Sequence, residues 1–314
     1  MDVIVIENLT KKFQSGWPGR PPVIALDELS FSVRQGEIFG FLGPNGSGKT
    51  TTLKILMGLM RQTGGRLDVL GKPAGDVGVR RRIGFLPEHP YFYDYLTAEE
   101  FLSFYGHLAG LDRNELSRRV TQLLDVVYLA EARTRQLRKF SKGMLQRIGL
   151  AQALIHNPEL VVLDEPMSGL DPIGRKQVRD LILNLRDQGK TVFFSSHIIP
   201  DVEMICDRVA IILKGTLLET GRVDELVGHG STQSVEIVCS GIKASDIPQI
   251  TESATRVLQQ GEQLCIMLPS HDQVEDVLSV IRAHHGKLVS VTPQKGSLEE
   301  IFIQHSKTPS QARG

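Results

Sequence analysis

The chain has 314 residues, enough for about two domains, and its 36 Lys+Arg balance 36 Asp+Glu, which argues against a generally basic nucleic-acid binder. Hydrophobic residues make up 41% and charged residues 23%, ordinary globular usage that excludes wholesale disorder and allows a sizeable core.

Val3–Ile6 and Leu29–Val33 read as strands, separated by a turn-rich loop, Ser15-Gly16-Trp17-Pro18-Gly19-Arg20-Pro21-Pro22. Ile38–Leu42 is a third strand that feeds a glycine-rich turn. The helix starting near Lys49 then carries Leu53, Leu56 and Met57 at helical spacing. Helical patterns run from Thr97 to Asn157, opened by a capping box of Thr97 and Glu100. Leu160–Leu163 is a wholly apolar strand, as in a sheet covered on both faces. Pro172 opens a helix to about Gln188, Thr191–Phe194 is a strand, a helix follows near Asp201, and Val209–Leu213 is another strand. This alternation predicts an α/β domain with a mainly parallel sheet.

Gly228–Thr232 changes composition and reads as a linker. Beyond it the pattern is strand (Ser234–Val238), helix (Ala244–Thr251), hairpin (Thr255–Met267, turning at Gly261), helix (Asp272–His284) and strand (Lys287–Thr292), the split β-α-β-β-α-β order of an α+β ferredoxin-like domain. A last helix, Ser297–His305, has Ser297 and Glu300 as its capping box, and Lys307–Gly314 reads as a disordered tail. Cys206, Cys239 and Cys265 stand singly, which argues against a disulfide framework and fits a reducing cytosol. The first residues do not read as a signal peptide, and no apolar run approaches the ~20 residues of a membrane helix. Work at a membrane requires another chain to cross it.

Gly43-Pro44-Asn45-Gly46-Ser47-Gly48-Lys49-Thr50 satisfies the G-x-x-x-x-G-K-[ST] phosphate loop, between an apolar strand and a helix. The glycines let several backbone N–H groups face one phosphate, and the helix N-terminus adds partial positive charge. Lys49 is expected on the β- and γ-phosphates, and the Thr50 hydroxyl on Mg²⁺. The motif alone does not separate kinases, GTPases and ATPases. Asp164 and Glu165 end the apolar strand Leu160–Leu163. Asp164 is assigned to Mg²⁺ through water, and Glu165 to the attacking water as general base. In Phe140-Ser141-Lys142-Gly143-Met144-Leu145-Gln146-Arg147, Ser141 is a good N-cap and Gly143 allows close approach of a ligand. On pattern alone an ordinary capped helix and an anion-binding helix end both remain open.

Gly43–Thr50, Ser141-Lys142-Gly143-Met144, Asp164-Glu165, Ser168-Gly169-Leu170-Asp171 and His197 stand in the order found in ABC-transporter ATPase subunits, and Val3–Val227 resembles that family. Its signature normally reads Leu-Ser-Gly-Gly-Gln; here Phe140, Lys142 and Met144 replace the leucine, the first glycine and the glutamine. This variant, and Pro293–Phe302, resemble the branch exporting drugs, sodium, lipids or polysaccharides. The resemblance implies that ATP is bound by Gly43 through Thr50 with Thr51, and sandwiched between two subunits, a homodimer or a paralogous pair. Ser141 and Gly143 would then meet the γ-phosphate held by the partner's Lys49, and Asp171 would lie at the interface. His197 would contact the γ-phosphate and orient the water that Glu165 polarises. Glu88 takes the place of the usual metal-sensing glutamine, with the loop after it facing a membrane subunit; the aromatic run Tyr91–Tyr95 in that loop reads either as local core or as a contact surface for the membrane partner. Phe13 matches the aromatic that stacks on adenine, with Trp17 as rival.

These features predict a phosphate-loop NTPase of ABC type with a helical subdomain over 1–227, a linker at 228–232, a C-terminal accessory domain at 233–306 and a tail at 307–314. The expected role is the ATPase of an exporter, cytoplasmic and held at the inner face of the cell membrane by integral permease subunits, without nucleic acid. The alternative is a soluble ABC-type ATPase regulating a ribosome- or DNA-linked process.

Overall fold

The computed structural model describes residues 1–14, 21–229, 234–293, 297–299 and 301–302. Trp17, residues 230–232 of the expected linker, Glu300, residues 303–305 of the expected last helix and the tail lie outside these residues. The chain divides into two compact units, Met1–Val223 and Asp224–Gly314.

In the first unit, β1 (Asp2–Phe13) and β2 (Val23–Arg34) pair antiparallel, each 12 residues long. Both run well beyond the short segments that alternation predicts, because register shifts at bulges break the two-residue period. β3 (Ile38–Leu42) is buried throughout and enters the phosphate loop, which opens α1 (Lys49–Leu56). β4 (Gly64–Val69) and β5 (Lys72–Pro73) extend the first pair into a separate antiparallel sheet of order β2-β1-β4-β5, an addition to the expected parallel sheet. After α2 (Val77–Arg80) and β6 (Ile83–Leu86) comes the helical layer: α3 (Ala98–Leu108), α4 (Arg113–Val126) and α5 (Lys142–Leu154). Thr97 and Glu100 form the predicted capping box at α3.

The chain returns through β7 (Leu160–Asp164), α6 (Pro172–Asp187), β8 (Thr191–Ser196), α7 (Ile199–Ile205), β9 (Arg208–Leu213) and β10 (Thr216–Arg222). The resulting sheet has the order β10-β9-β3-β8-β7-β6 and is parallel except for β10. Phe31 of β2 stacks on Phe39 and Phe193, and Phe39, Phe41 and Phe193 complete an aromatic core with centroids 5.5 to 6.4 Å apart. This core joins the two sheets. It also leaves the carboxyl ends of β3, β6, β7 and β8 side by side, the edge where open α/β sheets bind ligands.

α8 (Val223–His229) begins at the boundary between the units, so Gly228 and His229, expected in the linker, belong to a helix. In the second unit, β11 (Val235–Ser240), α9 (Pro248–Ser253), β12 (Arg256–Gln260), β13 (Gln263–Leu268), α10 (Val274–Ala283) and β14 (Lys287–Pro293) follow in the expected order. The sheet order is β12-β13-β11-β14, all antiparallel, as in a ferredoxin-like fold. Ile237, Leu264 and Ile266 pack with Val277 and Ile281 of α10. The helix expected over Ala244–Thr251 is instead a 3₁₀ turn at Ala244–Asp246 followed by α9. Pro248 restricts Ile247 to non-helical backbone and starts a new helix.

Candidate active site

A cleft of about 280 Å³ lies at the carboxyl edge of the parallel sheet, lined by Ala25, Asn45, Gly46, Gly48, Lys49, Thr50, Thr51, Glu88 and Glu165. The phosphate loop forms one wall. Gly46 and Gly48 take φ of 78° and 109°, conformations that favour glycine. A Cβ on Gly43 would come within 2.4 Å of the Ile212 carbonyl, so the loop also needs glycine for close packing on β9. The Gly43 N–H donates to the Ser196 carbonyl at 3.1 Å, tying the loop to the end of β8. The Ser47 hydroxyl is buried, with no hydrogen-bond partner among the described residues.

Lys49 is buried and donates from Nζ to the carbonyls of Gly43 at 2.6 Å and Pro44 at 3.2 Å. The same ammonium lies 3.2 Å from Glu165 Oε1, an ion pair without hydrogen-bond geometry. The other carboxylate oxygen of Glu165 is 2.8 Å from His197 Nδ1. With Nδ1 protonated the imidazole donates to it. Glu165 sits directly after β7 with φ of 50°, a left-handed conformation that costs a non-glycine residue about 1–2 kcal/mol. Strain of this kind clusters at functional sites.

Asp164, the last residue of β7, is 2% exposed. Burial pushes its carboxyl above the usual aspartate range, against hydrogen bonds from Ser195 and Thr50 and the charge of Lys49; the negative charge of Glu88 adds to the rise. The Ser195 hydroxyl donates to Asp164 Oδ1 at 2.6 Å and accepts the Glu165 N–H at 3.0 Å. Ser195 therefore fixes both carboxylate-bearing residues from the neighbouring strand. From sequence Ser195 has no assigned role; its one signal is a pair of hydroxyls, Ser195 and Ser196, after the apolar run Val192–Phe194, at the same sheet edge as Asp164.

The structure brings together Gly43–Thr51, Glu88, Asp164, Glu165 and His197. Ser141, Gly143 and Phe13 do not line the cleft. Ser141 caps α5, accepting the Met144 N–H at 3.3 Å. Gly143 follows in the first turn of that helix. Asp171 caps α6, accepting the Gly174 N–H at 3.0 Å. Phe13 ends β1, half-exposed, with the Lys11 ammonium 5.1 Å from its ring centroid. It pairs across the sheet with Val23, two residues from Ala25 of the cleft. No helix among the described residues is long and apolar enough to cross a membrane.

Residues 26–168 match the ABC transporter family. An uncharacterised ABC transporter ATP-binding protein of Synechocystis sp. is 45% identical over 307 residues, covering 96% of this chain and 84% of that protein. The bacitracin transport ATP-binding protein BcrA of Bacillus licheniformis is 42% identical over 284 residues, covering 89% of this chain and 92% of that one. A solved structure of an ATP-binding subunit of an ABC transporter superposes with a TM-score of 0.62 at 30% identity, over 71% of this chain and 91% of the other. Identity at this level across most of both sequences, on a fold with the phosphate loop at its sheet edge, means that the chain belongs to the ABC transporter ATP-binding proteins and is a phosphate-loop ATPase.

Proposed function

We propose that this chain powers export through separate integral permease subunits, hydrolysing ATP in sites shared between two ATPase subunits at the inner face of a membrane. The observation that carries the reading is the position of Glu165, 3.2 Å from Lys49 and 2.8 Å from His197. A carboxylate and an imidazole thus stand beside the lysine that anchors the phosphates.

The loop N–H groups and Lys49 hold the β- and γ-phosphates. The hydroxyl of Thr50 and the carboxylates of Asp164 and Glu88 converge from three elements, an all-oxygen set that fits a hard divalent cation such as Mg²⁺. Bound there, Mg²⁺ supplies charge neutralisation on the phosphate oxygens. Glu165 polarises the attacking water, and His197 holds that carboxylate in place through their hydrogen bond. Ser141 and Gly143 do not line their own chain's cleft, which supports a second subunit presenting them to the γ-phosphate. Phe13 is the adenine-stacking residue in this reading.

Export is supported by likeness to the bacitracin transport protein and by the signature variant Phe140, Lys142 and Met144. The matches to transporter subunits favour transport over the ribosome- or DNA-linked role. The second unit is a separate accessory domain whose sequence carries no second phosphate loop. Detergent-solubilised membranes are the test: the tagged full chain should purify with an integral membrane protein whose presence changes its ATPase rate. Recovery with ribosomes or DNA instead rejects the transport reading.

A further inference from the structure

α6 and α7 frame the segment that carries His197, and a part-buried ion pair joins them. Arg179, about two turns into α6, places Nη1 3.3 Å from Asp201 Oδ1 in the first turn of α7. Asp201 is 2% exposed. A buried ion pair adds little net stability over an apolar contact of the same shape, but it admits fewer arrangements. This one has a local reason to matter. Ile198, the residue preceding α7, provides no side-chain cap. Asp201 ties the first turn of α7 to α6.

Upstream, the Ser196 hydroxyl accepts the Ile198 N–H at 2.9 Å. His197 lies between these two anchors. At its other end α6 begins at the Asp171 cap, so one uninterrupted helix runs from Asp171 to Arg179, about 12 Å. The joint uses one contact: Asp201 Oδ2 is buried with no hydrogen-bond partner among the described residues, and so is Arg175 Nε, one turn nearer Asp171. A single contact permits pivoting where a bidentate fork would lock.

We propose that Arg179 and Asp201 form a positioning link for hydrolysis, holding α7 on α6 so that His197 stays on Glu165 and carrying displacement of the Asp171 end of α6 to His197. The link rests on the catalytic reading of Glu165 and His197 given above. It is tested in the full chain with Asp201→Asn, Arg179→Met and Arg179→Lys beside His197→Ala, reading equilibrium ATP affinity, single-turnover hydrolysis and the histidine imidazole NMR signals. The His197 signal is assigned by its loss in His197→Ala.

Asp201→Asn and Arg179→Met should slow hydrolysis about 10- to 100-fold, the scale of a misplaced group, while ATP affinity stays within about twofold. Both should shift the His197 signal, and Arg179→Lys, which keeps the charge, should recover most of the rate. Arg179→Met carries the test if Asp201→Asn fails to fold, because the Arg179 side chain is 21% exposed. Normal turnover in both charge-removing variants with an inactive His197→Ala overturns the link alone. So does a loss of ATP affinity equal to the loss of rate. An active His197→Ala overturns the catalytic reading, and the link with it.

Discussion

The two units of this chain build their interiors from different materials. Among the described residues, all eleven buried polar or charged side chains, including Lys49, Asp164, Glu165, Ser195 and Asp201, lie in Met1–Val223. The buried set of the second unit is apolar, from Val235 and Ile237 on β11 to Ile281 on α10. A buried charge costs free energy unless it is paired, so an interior that keeps such groups reflects something other than stability. In the first unit six of them, Ser47, Lys49, Asp164, Glu165, Ser195 and Ser196, gather where the parallel strands end, around Glu165. In the second unit, alternation of β11 and β13 between buried and half-buried residues builds the apolar core.

The comparison breaks most visibly at Glu165. Glu165→Gln keeps the shape but removes the charge, and should lower single-turnover hydrolysis by about 10²–10⁴-fold. ATP should still bind, because Lys49, Thr50 and Asp164 remain. Near-normal turnover would move the role elsewhere, with Glu88 of the same cleft the first alternative. The matching change in the second unit is Ile237→Ala. It should cost about 2–5 kcal/mol, seen as an early melting step, and leave ATP affinity intact. A parallel fall in ATP affinity would show that the units do not fold independently, as would failure of a chain truncated after Gly228 to bind ATP.

How far each unit was legible follows from the same contrast. The phosphate loop and the Asp164-Glu165 pair could be read because their chemistry demands particular residues at fixed spacing. The ferredoxin-like order could be read from periodicity, with Gly261 marking the hairpin at φ of 60°. The antiparallel sheet of the first unit could not. β4 begins Gly64-Gly65-Arg66 and is half-exposed, and β1 and β2 shift register around Asn8 and Glu28, both with φ of 50°. Two-residue alternation does not survive such bulges. Ser195 and the Arg179–Asp201 pair escaped for another reason: each acts across 22 to 31 residues of sequence, and neither belongs to a motif.

A smaller effect is expected at the predicted capping box. The Thr97 hydroxyl accepts the Glu100 N–H at 3.3 Å, and Glu100 returns a carboxylate to the Thr97 N–H at 2.8 Å. Thr97→Ala should cost about 1 kcal/mol, measured by denaturant titration, with ATP affinity unchanged. A loss of affinity would mean that the first turn of α3 reaches the cleft.

The smallest effect concerns His156, a partly buried polar side chain of the first unit outside the cleft. Burial holds its imidazole below the ordinary 6.5, only partly offset by its hydrogen bond to the Ile83 carbonyl, while Arg119 and Lys190 repel a further positive charge. Folding therefore favours the neutral ring. Above pH 6.5 the ring is neutral in both folded and unfolded chains, and the stability it permits is fully present. As pH falls below that value the unfolded chain takes up the proton first, and stability declines until the folded ring is protonated too. His156→Gln keeps a donor for Ile83 and removes the titration. Melting curves between neutral and mildly acidic pH should fall more steeply in the wild type than in the variant, with the difference vanishing at neutral pH. Equal slopes would show that His156 does not titrate differently on folding, and would place the acid sensitivity of the first unit elsewhere among its buried polar groups.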